Sequence, residues 1–373
     1  MLVIGRVFTR PFFYNMKRIS FVFFISLISF FYFSRNFISN KVEKKISKEI
    51  SFSFVGDLMC HSPIFESARI ENDSFDFNPI FENVKDELSQ SDFTIGNLET
   101  VIAGKEFGFS GYPNFNSPIE FLQALKNSGF DVLITCNNHS LDRGIKGLIN
   151  TQNNLEKIGF KYVGTKKTEN DSILILEKNN LKVSLLAYTY GLNGNILPKS
   201  KYYLINIIDT NNIKKDILKA KKSSDAVIVY LHFGEEYQRK PNSFQKELVD
   251  KVFSFGANVI IASHPHVIQD VVYDDEKLVA YSLGNFLSNQ RWRFSDSGII
   301  LSFTISKNDS NKIKVKDFAF IPTWVYKGTL NNKVQFKILK ADTLIFPSFL
   351  TKDEIGKVKQ AFYDTKFLIN YTN

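Results

Sequence analysis

From Ile50 onward the chain alternates short apolar runs with amphipathic segments. A short apolar run bounded by polar residues is typical of a buried strand, and apolar residues spaced three and four apart are typical of a helix. The strand candidates are Ile50–Val55, Phe93–Ile95, Val132–Thr135, Ala226–Leu231 and Val259–Ala262, and the helix candidates are Ile119–Ser128, Ile145–Ile158 and Phe244–Phe255. Strands that alternate with helices predict a layered α/β domain with parallel strands.

Three further pairs of apolar runs are joined by polar turns and predict β-hairpins. The pairs are Ile173–Leu176 with Val183–Tyr188, Val271–Tyr273 with Leu278–Tyr281, and Gly298–Ile305 with Ile313–Phe320. This mixture predicts a sandwich of two sheets, in which antiparallel strands flank parallel ones. After Ser306 the pattern weakens and predicts further strands and one helix near Asp353–Tyr363.

An uncharged apolar run, Ile19–Ser34, follows several basic residues near the N-terminus. It is short for a membrane span, but flanking Lys and Arg side chains can reach the interface. No Ala-x-Ala cleavage site follows it, since the first alanine is Ala68, and Cys60 is too distant to be a lipid-modified start. The sequence therefore predicts an uncleaved transmembrane anchor, with a signal peptide as the alternative. Basic residues on both sides leave the orientation open.

The predicted organisation has five parts. They are a basic tail at 1–18, the anchor at 19–34, a Lys-rich juxtamembrane tether at 35–49, the main domain at 50–305 and a C-terminal extension at 306–373. The net charge of +9 is concentrated at the N-terminus, because residues 1–50 carry +7 of it. The globular part is nearly neutral, which argues against a nucleic-acid partner. The two cysteines, Cys60 and Cys136, read as small buried residues, with a disulfide or a soft metal contact as the alternative.

Most of the histidines follow apolar runs that are predicted to be strands. Four of the five lie within a few residues of the C-terminal end of a run: His139, His232, His264 and His266. Asp57, Glu99 and Asn138 occupy equivalent places. Ligands of open α/β sheets bind at this edge, because the strands end there together. Imidazole and carboxylate groups from separate strands, without a cysteine cluster, predict a site for a divalent metal such as Mn, Fe or Zn.

Each of these residues also has an ordinary structural explanation. A Gly-Asp pair such as the one ending at Asp57 is usually a turn, and Asn138-His139 is compatible with a helix cap. His232 alone is compatible with a buried, hydrogen-bonded histidine. Two imidazoles two residues apart, as in His264–His266, are poor core residues and good ligands. His61 lies off the pattern and is expected at the surface.

Six segments of the chain resemble the capsule synthesis protein CapA family, which is associated with poly-gamma-glutamate capsules. They are Val55-Gly56-Asp57-Leu58-Met59, Gly96-Asn97-Leu98-Glu99, Ser117-Pro118 through Cys136-Asn137-Asn138-His139-Ser140-Leu141-Asp142, His232-Phe233-Gly234-Glu235-Glu236-Tyr237, Ser263-His264-Pro265-His266-Val267 and Tyr281-Ser282-Leu283-Gly284-Asn285-Phe286. The match runs in order from about Ile50 to Gln290. That family is in turn similar to the calcineurin-like metallophosphatases.

The resemblance implies an α/β/β/α sandwich of the metallo-dependent phosphatase type and a site for one or two divalent ions. By that resemblance the ligands of one metal are Asp57 and His266, those of the other are Asn138, His232 and His264, and the bridging ligand is Glu99. His139 would be the general acid or a transition-state contact rather than a ligand.

The chain departs from the phosphatase pattern in two places. Met59 stands where the histidine of the D-x-H motif is expected, and Asn97-Leu98-Glu99 replaces the usual aspartate motif. The first metal site therefore lacks one ligand, so occupancy by a single ion is an open alternative. Glu235, Glu236 and Tyr237 either shape a polar cleft or form a solvated loop.

The leading hypothesis is a single-pass, membrane-anchored protein of capsule or poly-gamma-glutamate biosynthesis, whose domain lies outside the membrane. Its expected partners are an anionic surface polymer of the poly-gamma-glutamate type, the membrane and subunits of a capsule synthase complex. As an enzyme it would be a metal-dependent hydrolase of phosphoesters or amides. The alternatives are a non-catalytic polymer-binding or assembly module and a metal-dependent phosphoesterase unrelated to capsule.

Overall fold

The computed structural model describes residues 48–71, 74–171 and 173–369. The first of its two β-sheets contains eight strands. They are β1 Glu49–Leu58, β2 Phe93–Leu98, β3 Val132–Ile134, β4 Lys161–Val163, β11 Asn285–Leu287, β12 Ser297–Lys307, β13 Ile313–Leu330 and β14 Lys333–Lys340. Their order is β14-β13-β12-β1-β2-β3-β4, and β11 pairs with β1 beside this path. The strands from β1 to β4 run parallel, and β12 to β14 are antiparallel.

The second sheet contains six strands. They are β5 Leu174–Lys178, β6 Leu181–Thr189, β7 Ala226–His232, β8 Val259–Ser263, β9 Val271–Tyr273 and β10 Leu278–Ala280. Their order is β5-β6-β7-β8-β10-β9. The inner four run parallel, and β5 and β9 are antiparallel strands at the two edges.

The helices contribute mainly to the apolar cores on the outer faces of the two sheets. They are α1 Ser62–Ala68, α2 Asn78–Phe81, α3 Lys85–Leu88, α4 Glu120–Asn127, α5 Gly144–Ile158, α6 Thr210–Ala220, α7 Ser243–Phe255 and α8 Lys352–Ile369, with 3-10 turns at Lys105–Phe107 and Lys199–Leu204. α4 contributes Phe121 to the core outside the first sheet, and α6 and α7 contribute Ile213 and Leu248 to the core outside the second. α8 packs through Val358 and Ala361 on the distal part of β13.

A central apolar core lies between the two sheets. Phe52 and Phe54 on β1 share it with Ile228 on β7 and Ile261 on β8. Val55, the next residue of β1, belongs to the outer core instead, because successive side chains of a strand point to opposite faces. Burial on both faces explains why the parallel strands read as nearly continuous apolar runs.

The predicted layered α/β class is confirmed, with two sheets and helices outside them. All five strand candidates and all three hairpins are present, and the antiparallel strands flank the parallel ones as predicted. The helix near Asp353–Tyr363 extends over Lys352–Ile369. Both cysteines are buried and free of disulfide bonds.

Several elements were not predicted from the sequence. β4 is a three-residue strand at the edge of the first sheet, and its first residue, Lys161, is exposed. α6 was also missed, although Asp209 caps it by accepting a hydrogen bond from the backbone N–H of Asn212 and its buried face carries Ile213 and Ile217. The sequence signal for α6 was therefore present.

The predicted anchor at 19–34 lies outside the described residues. Among the residues that the structure does describe, no helix has the length and apolar character needed to cross a membrane.

Gly56 marks a close approach between β1 and the segment that leads into β11. A Cβ atom at this position would lie 1.8 Å from the carbonyl oxygen of Gly284. That oxygen already accepts a 3.0 Å hydrogen bond from the backbone N–H of Asp57. A side chain at Gly56 would therefore push the end of β1 away from its neighbour.

We expect Gly56→Ala to lower the free energy of unfolding by at least about 2 kcal/mol, because overpacking forces the backbone to shift. The measurement is the urea unfolding midpoint of the purified protein. The matched control is Gly356→Ala in α8, where an added Cβ meets no atom within 4 Å. An exposed helical Gly→Ala change gains about 0.5–1 kcal/mol. Equal midpoints for the two variants would contradict the close approach.

Candidate metal centre

The predicted ligand residues converge where parallel strands of both sheets end. Asp57 lies near the end of β1 and is paired with Asn97 on β2. His232 is the last residue of β7 and is paired with Ser263 at the end of β8. His264 and His266 follow directly. The carboxyl ends of both sets of strands therefore face one site, as the sequence predicts.

Asn97 joins the acidic groups of the first sheet. Its Nδ2 donates hydrogen bonds to Asp57 Oδ1 at 2.8 Å and to Glu99 Oε2 at 3.1 Å. Asn97 and Glu99 are two residues apart and share one face, because strand side chains alternate. The amide oxygen of Asn97 accepts from Asn137 Nδ2 at 3.1 Å, so the loop after β3 holds Asn97 in this orientation.

The histidines of the second sheet reach across to these acids. His266 Nδ1 lies 3.0 Å from Asp57 Oδ2. Glu99 Oε1 lies 3.8 Å from His266 Nε2 and 3.7 Å from His232 Nε2, too far for hydrogen bonds. Two triads result, whose ligand atoms lie within 4.8 Å of one another: Asp57, Glu99 and His266, and Glu99, His232 and His264. Glu99 is common to both.

Asn138 and Tyr190 complete the His232 side of the site. Asn138 Oδ1 lies 2.8 Å from His232 Nε2, and Asn138 Nδ2 donates to Asn193 Oδ1 at 3.1 Å. The ring of Tyr190 packs on His264 with a centroid separation of 4.5 Å. The six predicted ligands therefore lie together, in the grouping that the resemblance implies. Their role as ligands stays a prediction.

The two buried carboxyl groups have opposite electrostatic environments. Burial alone would raise the pKa of Asp57, but the hydrogen bond and charge of His266 outweigh it and hold this pKa below its ordinary value. Burial raises the pKa of Glu99 well above its ordinary value, and the adjacent negative charge of Asp57 raises it further. Without a cation, burial and the charge of Asp57 therefore both favour the protonated form of Glu99.

The imidazoles of the second triad are held neutral. Burial lowers the pKa of His232 well below its ordinary value, and the neighbouring His264 lowers it further. Burial, together with the charge of His266, lowers the pKa of His264 to about 3. Neutral imidazole is the form that binds metal ions, so the site keeps these side chains in their ligand form.

Two buried polar atoms show that the donor set fits a cation. Glu99 Oε1 and His264 Nδ1 have no hydrogen-bond partner among the described residues. A buried carboxylate oxygen without a partner is costly unless a cation satisfies it. Ligands bonded at about 2.0–2.3 Å to one ion lie roughly 3–4 Å apart, as the Glu99 and histidine atoms do.

His139 lies beside the triads and has its own carboxylate partner. Its Nδ1 is 2.8 Å from Asp142 Oδ2, and both side chains are almost fully buried. The ring packs edge-on against Phe115 at 4.7 Å, and the backbone N–H of Phe115 donates to the same Asp142 oxygen at 2.7 Å. Asn193 Nδ2 lies 3.4 Å from His139 Nε2. Asp142 was not predicted as a site residue, although its position three residues after His139 is a usable signal in the sequence.

His61 is half-buried rather than fully exposed at the surface. Its ring packs edge-on against Phe115 with a centroid separation of 5.2 Å, so His61 and His139 contact the same phenyl ring. Burial, with the charge of His266 as the next cause, lowers the pKa of His61 to about 4. The backbone N–H of Asn289 donates to His61 Nδ1 at 3.3 Å. These contacts come from distant segments, so local sequence gave no signal for them.

The backbone at the second-sheet histidines is strained. His264 and His266 have φ angles of 107° and 57°, in the left-handed region that bulky residues rarely adopt. Such conformations persist only where the surrounding structure imposes them, and they concentrate at functional sites.

The family assignment follows from the sequence of the same region. Residues 51–290 match the family model of the bacterial capsule synthesis protein PGA_cap, and this range contains every residue of both triads. The chain belongs to the PGA_cap family.

Two proteins similar to this chain carry capsule-related names. The PGA biosynthesis protein CapA of Bacillus subtilis is 26% identical, over 85% of this chain and 84% of that protein. The capsule biosynthesis protein CapA of Bacillus anthracis is 29% identical, over 69% of this chain and 65% of that protein. The chain thus spans just under two thirds of the B. anthracis protein.

Solved structures similar to this PGA_cap chain include two nucleotidases. A putative 5'-nucleotidase from Staphylococcus aureus has a TM-score of 0.45 at 14% identity, over 84% of this chain and 58% of that chain. The NAD nucleotidase of Haemophilus influenzae has a TM-score of 0.46 at 12% identity, over 85% of this chain and 63% of that chain.

We expect the cation-free protein to lose stability as the pH falls from 6.5 towards 5. His264 has a folded-state pKa of about 3. The unfolded state therefore binds more protons than the folded state over this interval. By pH 5, protonation of His264 in the unfolded state lowers the free energy of unfolding by about 2 kcal/mol. The variant His264→Asn should show a shallower decline, and Asn tolerates a positive φ. The measurement is urea unfolding with chelator at several pH values. Parallel pH profiles for variant and wild type would contradict the buried neutral state of His264.

Proposed function

We propose that this PGA_cap protein is a membrane-anchored component of capsule or surface-polymer biosynthesis, with a metal-dependent hydrolytic site of the metallophosphatase type. The observation that carries the proposal is the pair of triads that share Glu99, whose Oε1 is buried and has no partner among the described residues. Family membership supplies the biological setting.

The donor set indicates which residues would hold the cation. Asp57, Glu99 and His266 form one candidate site, and Glu99, His232 and His264, with Asn138 beside them, form the other. Oxygen and imidazole donors suit Mn, Fe or Zn, as one or two ions. A divalent cation there would supply a Lewis acid that stabilises developing negative charge and lowers the pKa of water.

His139 is the proposed general acid. With Asp142 accepting a hydrogen bond from Nδ1–H, Nε2 is the nitrogen that exchanges a proton with the leaving group. Phe115 and Asp142 fix the orientation of the ring. Asn193 Nδ2, 3.4 Å from Nε2, lies close enough to contact the same substrate atom. The proposed reaction is hydrolysis of a phosphoester or an amide.

The proposed substrate or ligand is an anionic surface polymer of the poly-gamma-glutamate type. The names of the Bacillus relatives, which refer to PGA and capsule biosynthesis, support this assignment. The apolar run at 19–34 supports a single-pass anchor, with the domain outside the membrane beside the emerging polymer and the subunits of a capsule synthase complex.

One observation favours a second function, a non-catalytic polymer-binding or assembly module. Met59 occupies the position of the D-x-H histidine, so the donor set around Asp57 is smaller than in the phosphatase pattern. A cation in such a site would organise an anionic ligand without activating water.

We expect His139→Ala to reduce hydrolysis by at least about 100-fold, because it removes the proton donor. The assay screens phosphoesters and gamma-glutamyl amides with the purified protein, and elemental analysis measures bound Mn, Fe and Zn. Metal content should stay at the wild-type level, since His139 belongs to neither triad.

Two results would contradict this assignment. Wild-type turnover in the variant would exclude His139 as the general acid. A wild-type protein that binds metal but turns over neither substrate class would favour the binding module instead.

A reporter fused after Asn373 tests the proposed location. We expect a fused alkaline phosphatase, which is active only outside the cytoplasm, to be active, and a fused β-galactosidase to be inactive. The opposite pattern would place the domain in the cytoplasm and contradict a role beside the emerging polymer.

A further inference from the structure

The loop that follows β7 brings another carboxylate to the candidate metal centre. Two backbone hydrogen bonds tie this loop to the segment after β8. The N–H of Phe233 donates to Ser263 O at 3.0 Å, and the N–H of Tyr237 donates to Pro265 O at 2.8 Å. Glu236 immediately precedes Tyr237, so the second bond fixes its backbone beside the segment that carries the two strained histidines.

The buried side-chain amides of Gln245 and Gln269 support the loop that carries Glu236. Gly234 adopts a φ of 111°, and a Cβ there would lie 2.7 Å from Gln245 Nε2. The same Nε2 donates to Gln269 Oε1 at 2.9 Å, and Gln269 Nε2 donates to Gln238 O at 2.8 Å. These bonds connect the loop to α7 and to the segment before β9. The loop carrying Glu236 is therefore held by specific contacts on both sides.

Glu236 forms a third triad with the histidines of the site. Its carboxylate, one ring nitrogen of His264 and one of His266 lie within 4.8 Å of one another. Each of the other two triads shares a histidine with this one, so the three form a continuous ring. The six members of the ring are Asp57, Glu99, His232, His264, Glu236 and His266.

The electrostatic environment places Glu236 in the same site. After burial and the charge of Asp57, the charge of Glu236 is a further cause of the raised pKa of Glu99. After burial, it is the next cause of the rise in the pKa of Tyr190, which reaches about 12. Glu236 is the exposed member of the ring, whereas the other five are buried. It therefore stands on the solvent side of the site.

We propose that Glu236 is a further ligand in the site of Asp57, Glu99 and His266, where Met59 stands in place of a donor, with its carboxylate beside both His266 and the neighbouring His264. This inference rests on the proposed metal centre. An exposed carboxylate suits an entrance position, because it is already solvated, unlike that of Glu99. Like Asp57, Glu236 offers a carboxylate oxygen, which is a suitable ligand for Mn, Fe and Zn.

The test compares Glu236→Gln with the matched control Glu235→Gln. Both changes remove one negative charge from neighbouring exposed positions of the same loop. Glu235 belongs to none of the triads, and its Oε1 accepts a hydrogen bond from Asn242 Nδ2 at 3.1 Å. Calorimetric titration with Zn²⁺ and Mn²⁺ gives the affinities. The visible absorption of bound Co²⁺ reports the ligand set independently of activity.

We expect Glu236→Gln to weaken metal binding by at least about tenfold, because loss of even an indirect partner of a metal site costs about 10–100-fold. Its Co²⁺ spectrum should differ from that of the wild type. Glu235→Gln should keep the wild-type spectrum and an affinity within about threefold, as expected for a screened surface charge.

The outcomes separate this inference from the proposed function. Wild-type affinity and spectrum in Glu236→Gln, with a wild-type protein that binds metal, would overturn the role of Glu236 alone. Equal weakening in both variants with unchanged spectra would also overturn it, since charge rather than ligation would then be responsible. A wild-type protein that binds none of the three ions would overturn both proposals.

Discussion

The buried carboxylate of Glu99 is the constraint on which the rest of the site depends. Its Oε2 accepts a hydrogen bond from Asn97, whereas its Oε1 is buried among imidazoles without a partner in the described structure. A second carboxylate, Asp57, shares the same Asn97 amide. Two acids this close cannot both ionise in a buried site unless positive charge is supplied. The arrangement is therefore stable either with a proton on Glu99 or with a cation beside it.

The sandwich produces this arrangement through the common direction of its parallel strands. β1 and β2 deliver Asp57 and Glu99 from one sheet, and β7 and β8 deliver three histidines from the other. The close contact at Gly56 and the left-handed backbone at His264 and His266 are unfavourable by themselves. They persist because the surrounding structure imposes them. This strain and the neutral state of the buried histidines are features of the candidate metal centre and not of the apolar core.

Much of this arrangement could be predicted from the sequence, because apolar runs mark buried strands and polar residues that follow them mark a shared edge. Contacts between distant loops could not be predicted. His61 joins the site through Phe115, and Glu236 approaches His264 because Tyr237 bonds to Pro265 across neighbouring loops. The spacing of residues along the chain carries no information about which distant loops will contact one another. β4 was missed for another reason, since three residues at a partly exposed edge leave no clear period.

Anomalous diffraction from crystals of the purified protein, recorded at the absorption edges of Mn, Fe and Zn, tests the central claim most directly. We expect an anomalous peak within about 2.3 Å of Glu99 Oε1 and of at least one ring nitrogen of the surrounding histidines. Crystals grown with these ions that show no peak there, with Glu99 Oε1 hydrogen-bonded to water or a neighbouring side chain, would contradict it.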